Sequence, residues 1–209
     1  MRAFKRYDKR GFTLVELMIV VAIIGVLAAL AIFGVNRYLK SAKTSEAKNS
    51  VGRIARAAAE SYERENTTSQ ILAVGTESTV PTHSLCGSSA AAVPVGASPP
   101  AAKKYQPNNS GTTDFAGGDS TNGWKCLRFE ISDPIYYQYT YTKGSAPVGA
   151  TATPAGPTVQ GTESFEAAAK GDLDGDGSEF GVFTLTGQVD ATTKQLVRAT
   201  QVFISNEYE

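Results

Sequence analysis

Histidine and cysteine are almost absent from this chain, and it has no net formal charge. Each scarcity removes a class of function. With two cysteines and one histidine, the structural zinc sites that need four such ligands are excluded by count. A histidine-based catalytic triad would have to use His83. There is no nucleophile motif, no His/Asp pairing and no glycine-rich phosphate loop, so the residues do not suggest an enzyme and call for no required cofactor. A charge balance near zero gives no reason to expect a nucleic-acid site.

The charges that are present are unevenly placed. Residues 1–11 carry Arg2, Lys5, Arg6, Lys9 and Arg10 against Asp8. The next stretch, Phe12 to Phe33, reads FTLVELMIVVAIIGVLAALAIF. It contains no Lys, Arg, Asp, Asn, Gln or Pro and a single charge, Glu16. As a helix rising about 1.5 Å per residue, it is long enough to cross a hydrocarbon core of about 30 Å. The basic cluster before it should stay cytoplasmic, which puts the rest of the chain outside the inner membrane. The run is too long for the apolar core of a secretory signal. A plain anchor fits the length but leaves Glu16 unexplained, because an intramembrane carboxylate is costly and usually has a partner.

Residues 34–65 continue as an amphipathic helix. Val35, Ala42, Ala47, Val51, Ile54, Ala58 and Tyr62 recur mostly at three- or four-residue spacing, with Lys, Arg and Glu on the other face. Beyond residue 70 the period changes. Residues 87–101, GSSAAAVPVGASPPA, have the composition of a surface loop or loosely ordered segment, and residues 143–162 repeat that style. Five runs read as strands: Trp124–Ile131, Ile135–Thr142, Glu163–Ala169, Glu179–Thr186 and Gln195–Ser205. The expected fold is α+β, with a long N-terminal helix packed on an antiparallel sheet of four or five strands. Tyr137, Tyr139 and Tyr141 are expected to pack on one face of their strand. Cys86 and Cys126 lie in a domain read as exported to an oxidising compartment, so they most simply pair, with two free buried thiols as the alternative.

The string GDLDGDG brings three alternating carboxylates together: Asp172, Asp174 and Asp176. Such a set suits a hard cation that takes six to eight oxygens, which means Ca²⁺, with Glu179 or backbone carbonyls completing the shell. The EF-hand pattern is matched over its first half only, since Phe183 stands where the bidentate Glu belongs. An Asp/Gly turn without metal is the alternative.

Arg10-Gly11-Phe12-Thr13-Leu14-Val15-Glu16 followed by LMIVVAIIGVLAALA closely resembles the prepilin signature of the type IV pilin family, which includes the pseudopilins of type II secretion. The resemblance implies cleavage between Gly11 and Phe12 by a prepilin peptidase, methylation of the new Phe12 amino group, and pairing of Glu16 with the N-terminus of a neighbouring subunit. It also implies a precursor in the inner membrane, contact with the inner-membrane assembly machinery, and a helical homopolymer of this chain in an extracellular fibre. Such fibres serve adhesion, twitching motility or DNA uptake. Before assembly, Glu16 is expected to lie in lipid without its partner. Many pilins have a proline about two turns beyond the residue matching Gly25, and this chain has none there, so whether the helix melts stays open. The string around residues 165–180 is similar to the C-terminal part of some major pilins and to the calcium-loop position of pseudopilins. The resulting layout is a leader at 1–11, a membrane or filament-core segment at 12–33, an amphipathic half-helix at 34–66 and a β-rich head at 67–209.

Overall fold

The computed structural model describes residues 11–64, 72–77, 83–159 and 161–209. The basic leader and Asn66-Thr67-Thr68 lie outside them. Compact packing divides the chain into two units, one ending at Ser41 and one running from Ala42 to Glu209. Helix α1 (Leu14–Glu63) is continuous through both Gly25 and Gly34. Each glycine costs about 1 kcal/mol relative to alanine, but neither breaks the helix.

In the second unit, α1 buries Thr44, Ala47, Ser50, Val51, Ile54, Ala55, Ala58, Ser61 and Tyr62. Their spacing of three or four residues is one helix face. Much of this face is alanine and serine, which lets a sheet of large side chains approach closely. That sheet has five antiparallel strands: β1 (Gln138–Lys143), β2 (Ser164–Gly171), β3 (Gly181–Val189), β4 (Leu196–Arg198) and β5 (Phe203–Ser205). Its order is β1-β2-β3, after which β4 and β5 share the far edge of β3. β4 pairs with Gly187–Val189 and β5 with Val182–Thr184. Because strand side chains alternate, Phe165, Ala167 and Ala169 join α1 in the core together with Tyr137, Tyr139 and Tyr141. All three tyrosines are fully buried.

The run expected as a strand at Trp124–Ile131 is not one. It begins with a single helical turn, α2 (Gly123–Leu127), which ends at Arg128 in the left-handed region, φ 55°. The apolar positions Trp124, Leu127, Phe129 and Ile131 do turn inward, but a short apolar run does not by its period distinguish helix from strand. The 195–205 run is broken into β4 and β5 by a bend at Thr200–Gln201. Residues 87–101 are better tied than their composition suggests. Val93 exchanges backbone hydrogen bonds with Tyr139, and Ser89 donates its amide to the carbonyl of Tyr141. The segment therefore lines the open edge of β1.

The other face of the sheet is covered by the segment containing α3 (Pro147–Ala150). Glu166 points to that side and is 1% exposed. Its carboxylate accepts the amides of Val148 at 2.9 Å and Gly149 at 2.7 Å. At the seam between helix and sheet, Glu46 accepts the amide of Tyr136 and the hydroxyl of Tyr139, both at 3.1 Å. Burial raises both carboxyls above the ordinary range, against the pull of those donors.

Candidate functional site

The N-terminal unit shows its chemistry at its first turn. Helix α1 starts at Leu14, so Thr13 occupies the cap position and Glu16 the third helical position. The Thr13 amide donates to Glu16 Oε2 at 2.9 Å, and the Thr13 hydroxyl donates to the same oxygen at 2.8 Å. The Glu16 amide in turn reaches the Thr13 hydroxyl oxygen at 3.2 Å. This is a reciprocal capping box, which satisfies two amides that a helix start otherwise leaves unpaired. Within the chain Glu16 thus has hydrogen-bond partners, while the cation expected from a neighbouring subunit is not among them. Its sequence signal is Thr-x-x-Glu before an apolar run. Among the described residues both of these contacts use Oε2, and none uses Oε1. One carboxylate can thus cap its own helix and still offer an oxygen to a cation.

The rest of this unit is an apolar surface. Phe12, Leu14, Leu17, Ile23, Leu27, Leu30 and Phe33 are all more than half exposed, and no part of the most apolar window is buried. By length and composition, α1 can cross a membrane. Gly11 and Phe12 precede the helix, outside any helix or strand.

In the second unit Cys86 and Cys126 form a disulfide across a separation of 40 residues. Tyr141 donates its hydroxyl to the Cys86 carbonyl and ties this clasp to β1. The acidic loop does bring Asp172, Asp174 and Asp176 together, with one carboxylate oxygen from each within 4.8 Å of the others. Asp172 is buried and the other two are exposed. Glu179 does not join them; its carboxylate accepts the side-chain amide of Asn206 at 3.4 Å. The three carboxylates fit the oxygen preference of a hard cation. They also cap their own turn: Asp172 accepts the Gly175 amide at 2.6 Å and Asp176 accepts the Ser178 amide at 2.8 Å. His83 faces the Tyr62 carbonyl through Nδ1 at 3.0 Å and stacks against that ring.

The chain thus presents a helix that is apolar all round at its start, opens with a charged capping box and is amphipathic where a disulfide-clasped β-domain packs on it. The prokaryotic N-terminal methylation motif matches residues 6–32. The type IV major pilin protein PilA of Myxococcus xanthus is 60% identical over 42 residues, which is 20% of this chain and 19% of that protein. The fimbrial protein EcpC of Eikenella corrodens is 52% identical over 44 residues, 21% of this chain and 29% of its own. The type IV major fimbrial protein FimA of Dichelobacter nodosus is 60% identical over 38 residues, 18% of this chain and 24% of its own. By its N-terminal segment the chain is similar to type IV pilins and fimbrial proteins. It spans only about a fifth to three tenths of the length of these curated relatives. No solved structure matches.

Proposed function

We propose that this chain is a structural subunit of a type IV pilus, and not an enzyme. The precursor sits in the inner membrane through the apolar half of α1, with its leader in the cytoplasm. A prepilin peptidase cuts between Gly11 and Phe12, the Phe12 amino group is methylated, and the assembly machinery packs the apolar half-helices into a fibre core with the β-domains outside. The observation that carries this reading is the exposed apolar surface of α1, headed by Glu16 within the matched motif. In lipid that surface has a solvent; outside the membrane, copies of the same helix must cover it.

Glu16 gives the assembly its direction. A buried carboxylate and a buried ammonium each carry a desolvation penalty of several kcal/mol, which pairing offsets. The free Oε1 faces the neighbour's Phe12 amine while Oε2 keeps the capping box. Adhesion, motility or DNA uptake at the cell surface follows for such a fibre. The alternative is a pseudopilin that builds a short periplasmic fibre for type II secretion; the disulfide-clasped head and long surface loops favour the pilus. Ca²⁺ in the Asp172–Asp176 loop is a further expectation, supported by the three converging carboxylates.

The test is Glu16→Gln in the native host. Glutamine retains an acceptor for the Thr13 amide but removes the charge. Processed subunit should accumulate in the inner membrane while the sheared-fibre fraction falls at least tenfold. Undiminished fibres would refute the charge-pairing role. Immunogold labelling with antibody to the β-domain should decorate surface fibres; label confined to the periplasm would favour the pseudopilin.

A further inference from the structure

The second unit carries two features of opposite charge. The turn between β2 and β3 holds Asp172, Asp174, Asp176 and Glu179, with no Lys or Arg among them. Asp174, Asp176 and Glu179 are exposed. The other feature is a groove of about 530 Å³ between α1, the end of α2 and β4, lined by Arg56, Arg64, Arg128 and Arg198 together with Glu60 and Glu63. Four arginines against two glutamates leave it positive. Among the described residues no ion pair joins either glutamate to these arginines. Carbonyl oxygens fix Arg64 instead. Its Nε donates to Glu60 O at 3.2 Å, and a terminal nitrogen donates to Cys126 O at 3.1 Å. Burial, and then the nearby charge of Arg128, hold the Arg64 guanidinium below its ordinary value, with Glu60 pulling the other way. Arg128 itself keeps a left-handed backbone, φ 55°, where glycine or asparagine sits more easily. Cations gathered in one groove without their own counter-charge attract an anionic partner.

The strand register sets these features toward opposite ends of the unit. β3 begins at Gly181, just after the acidic turn, and its nine residues reach Val189, roughly 27 Å further on. Its beginning lies with the early part of α1 in this unit. There β5 pairs with Val182–Thr184, and Glu207 beyond β5 forms an ion pair with Lys48. Its end lies with the last turn of α1, where the Tyr62 hydroxyl donates to Lys194 O at 2.8 Å. Arg198 stands opposite Gly187, toward that far end. Two copies set head to tail along β3 therefore bring the acidic turn of one onto the arginine groove of the other. Such a contact is heterologous, and where its rotation does not close a ring it propagates into a helical filament. Complementary charge fixes the register of the contact and disfavours wrong pairings. The four carboxylates stay net negative with one Ca²⁺ bound, so the contact is compatible with calcium in the turn.

We propose that the arginine groove is the receiving half of a head-to-tail contact between copies of this chain, and that it takes the acidic Asp174–Glu179 turn of the next copy. The inference rests on the fibre reading and adds to it a second, charged contact outside the apolar helices, since every residue in it belongs to the second unit.

The test uses the full chain in its native host and reads sheared-fibre yield against processed subunit in the membrane. Asp174→Lys/Asp176→Lys and Arg56→Glu/Arg198→Glu should each lower the yield by roughly fivefold, and the chain carrying all four reversals should return to within about twofold of wild type, because complementarity is restored with its sign inverted. A second measurement holds even where a reversal fails to fold. Fibres of Asp176→Cys/Arg198→Cys, oxidised mildly, should give a ladder of multimers that reductant collapses and that neither single cysteine variant gives. Undiminished fibres from both reversed chains, or oxidised double-cysteine fibres without a ladder, overturn the proposal while leaving the fibre reading in place. Wild-type chain absent from the sheared fibres would overturn the fibre reading, and this contact with it.

Discussion

Replacing Glu166 by alanine tests how the outer face of the sheet is held. In the wild type its buried carboxylate is the acceptor for two backbone amides of α3, at 2.7 and 2.9 Å. Removing it leaves both amides unpaired in a buried site, at about 1–3 kcal/mol each. It also opens a void beneath Gly149, whose Cα already packs near Gly156. An opposing gain comes from no longer burying a charge that lacks a cation among the described residues, and this is the desolvation that raises the Glu166 carboxyl. The net loss is about 2–4 kcal/mol. At roughly 2–4 °C per kcal/mol for a chain of this size, the melting temperature should fall by about 5–15 °C. Glu166→Gln, which keeps one acceptor, should lose less. Circular dichroism melting of the mature protein reads the shift. Hydrogen exchange should place the new opening at Val148 and Gly149. An alanine variant that melts within about 1 °C of wild type, with those amides still protected, would refute the role of Glu166 as the anchor of this segment.

Other expectations follow from the same structure. Opening the Cys86–Cys126 bridge with a Cys86→Ser/Cys126→Ser double variant should cost about 2–4 kcal/mol, because the 40-residue separation is restored to the unfolded chain; an unchanged melting temperature would mean the clasp adds nothing to the fold. Calcium in millimolar excess over EDTA should raise the melting temperature, and Asp174→Ala should remove that response; equal melting in both buffers would leave the loop as a metal-free turn. Burial raises Glu46 above the ordinary carboxyl value of 4.5 despite the donors from Tyr136 and Tyr139 and the charge of Lys104. A raised folded value means its contribution is present below about 4.5 and is lost as pH rises through the folded value. Glu46→Gln should therefore gain stability relative to wild type as pH rises above about 4.5, and a difference in melting temperature that does not change with pH would count against this.

How much of this was legible in the sequence depended on how local the cause was. The membrane-length run, Glu16 and the cleavage string are contiguous, and they read directly. The amphipathic half of α1 was legible from its period because one face had to meet a sheet. β2 and β3 fell close to their expected places: Glu179–Thr186 carries Phe, Val and Thr between Gly-rich turns, while the Ala-rich Glu163–Ala169 owes its strand to pairing with β1 and β3. Trp124–Ile131 misled because the same inward residues serve a helical turn once Gly123 and Arg128 take positive φ and Cys126 is tethered. Glu179 stands close to the acidic cluster by spacing, but its carboxylate accepts the side-chain amide of Asn206, a residue far away in sequence. Glu46, Glu166 and the arginine groove were not legible, because each depends on partners far away in sequence that only the fold brings near.

The central claim is that this chain is processed at Gly11–Phe12 and built into a fibre through the helix that begins there. Intact mass and N-terminal sequencing of the protein from sheared surface fibres test it most directly. The account predicts a chain that starts at N-methylated Phe12 and is recovered in the fibre fraction. A chain found only in the inner membrane and still beginning at Met1 would contradict it.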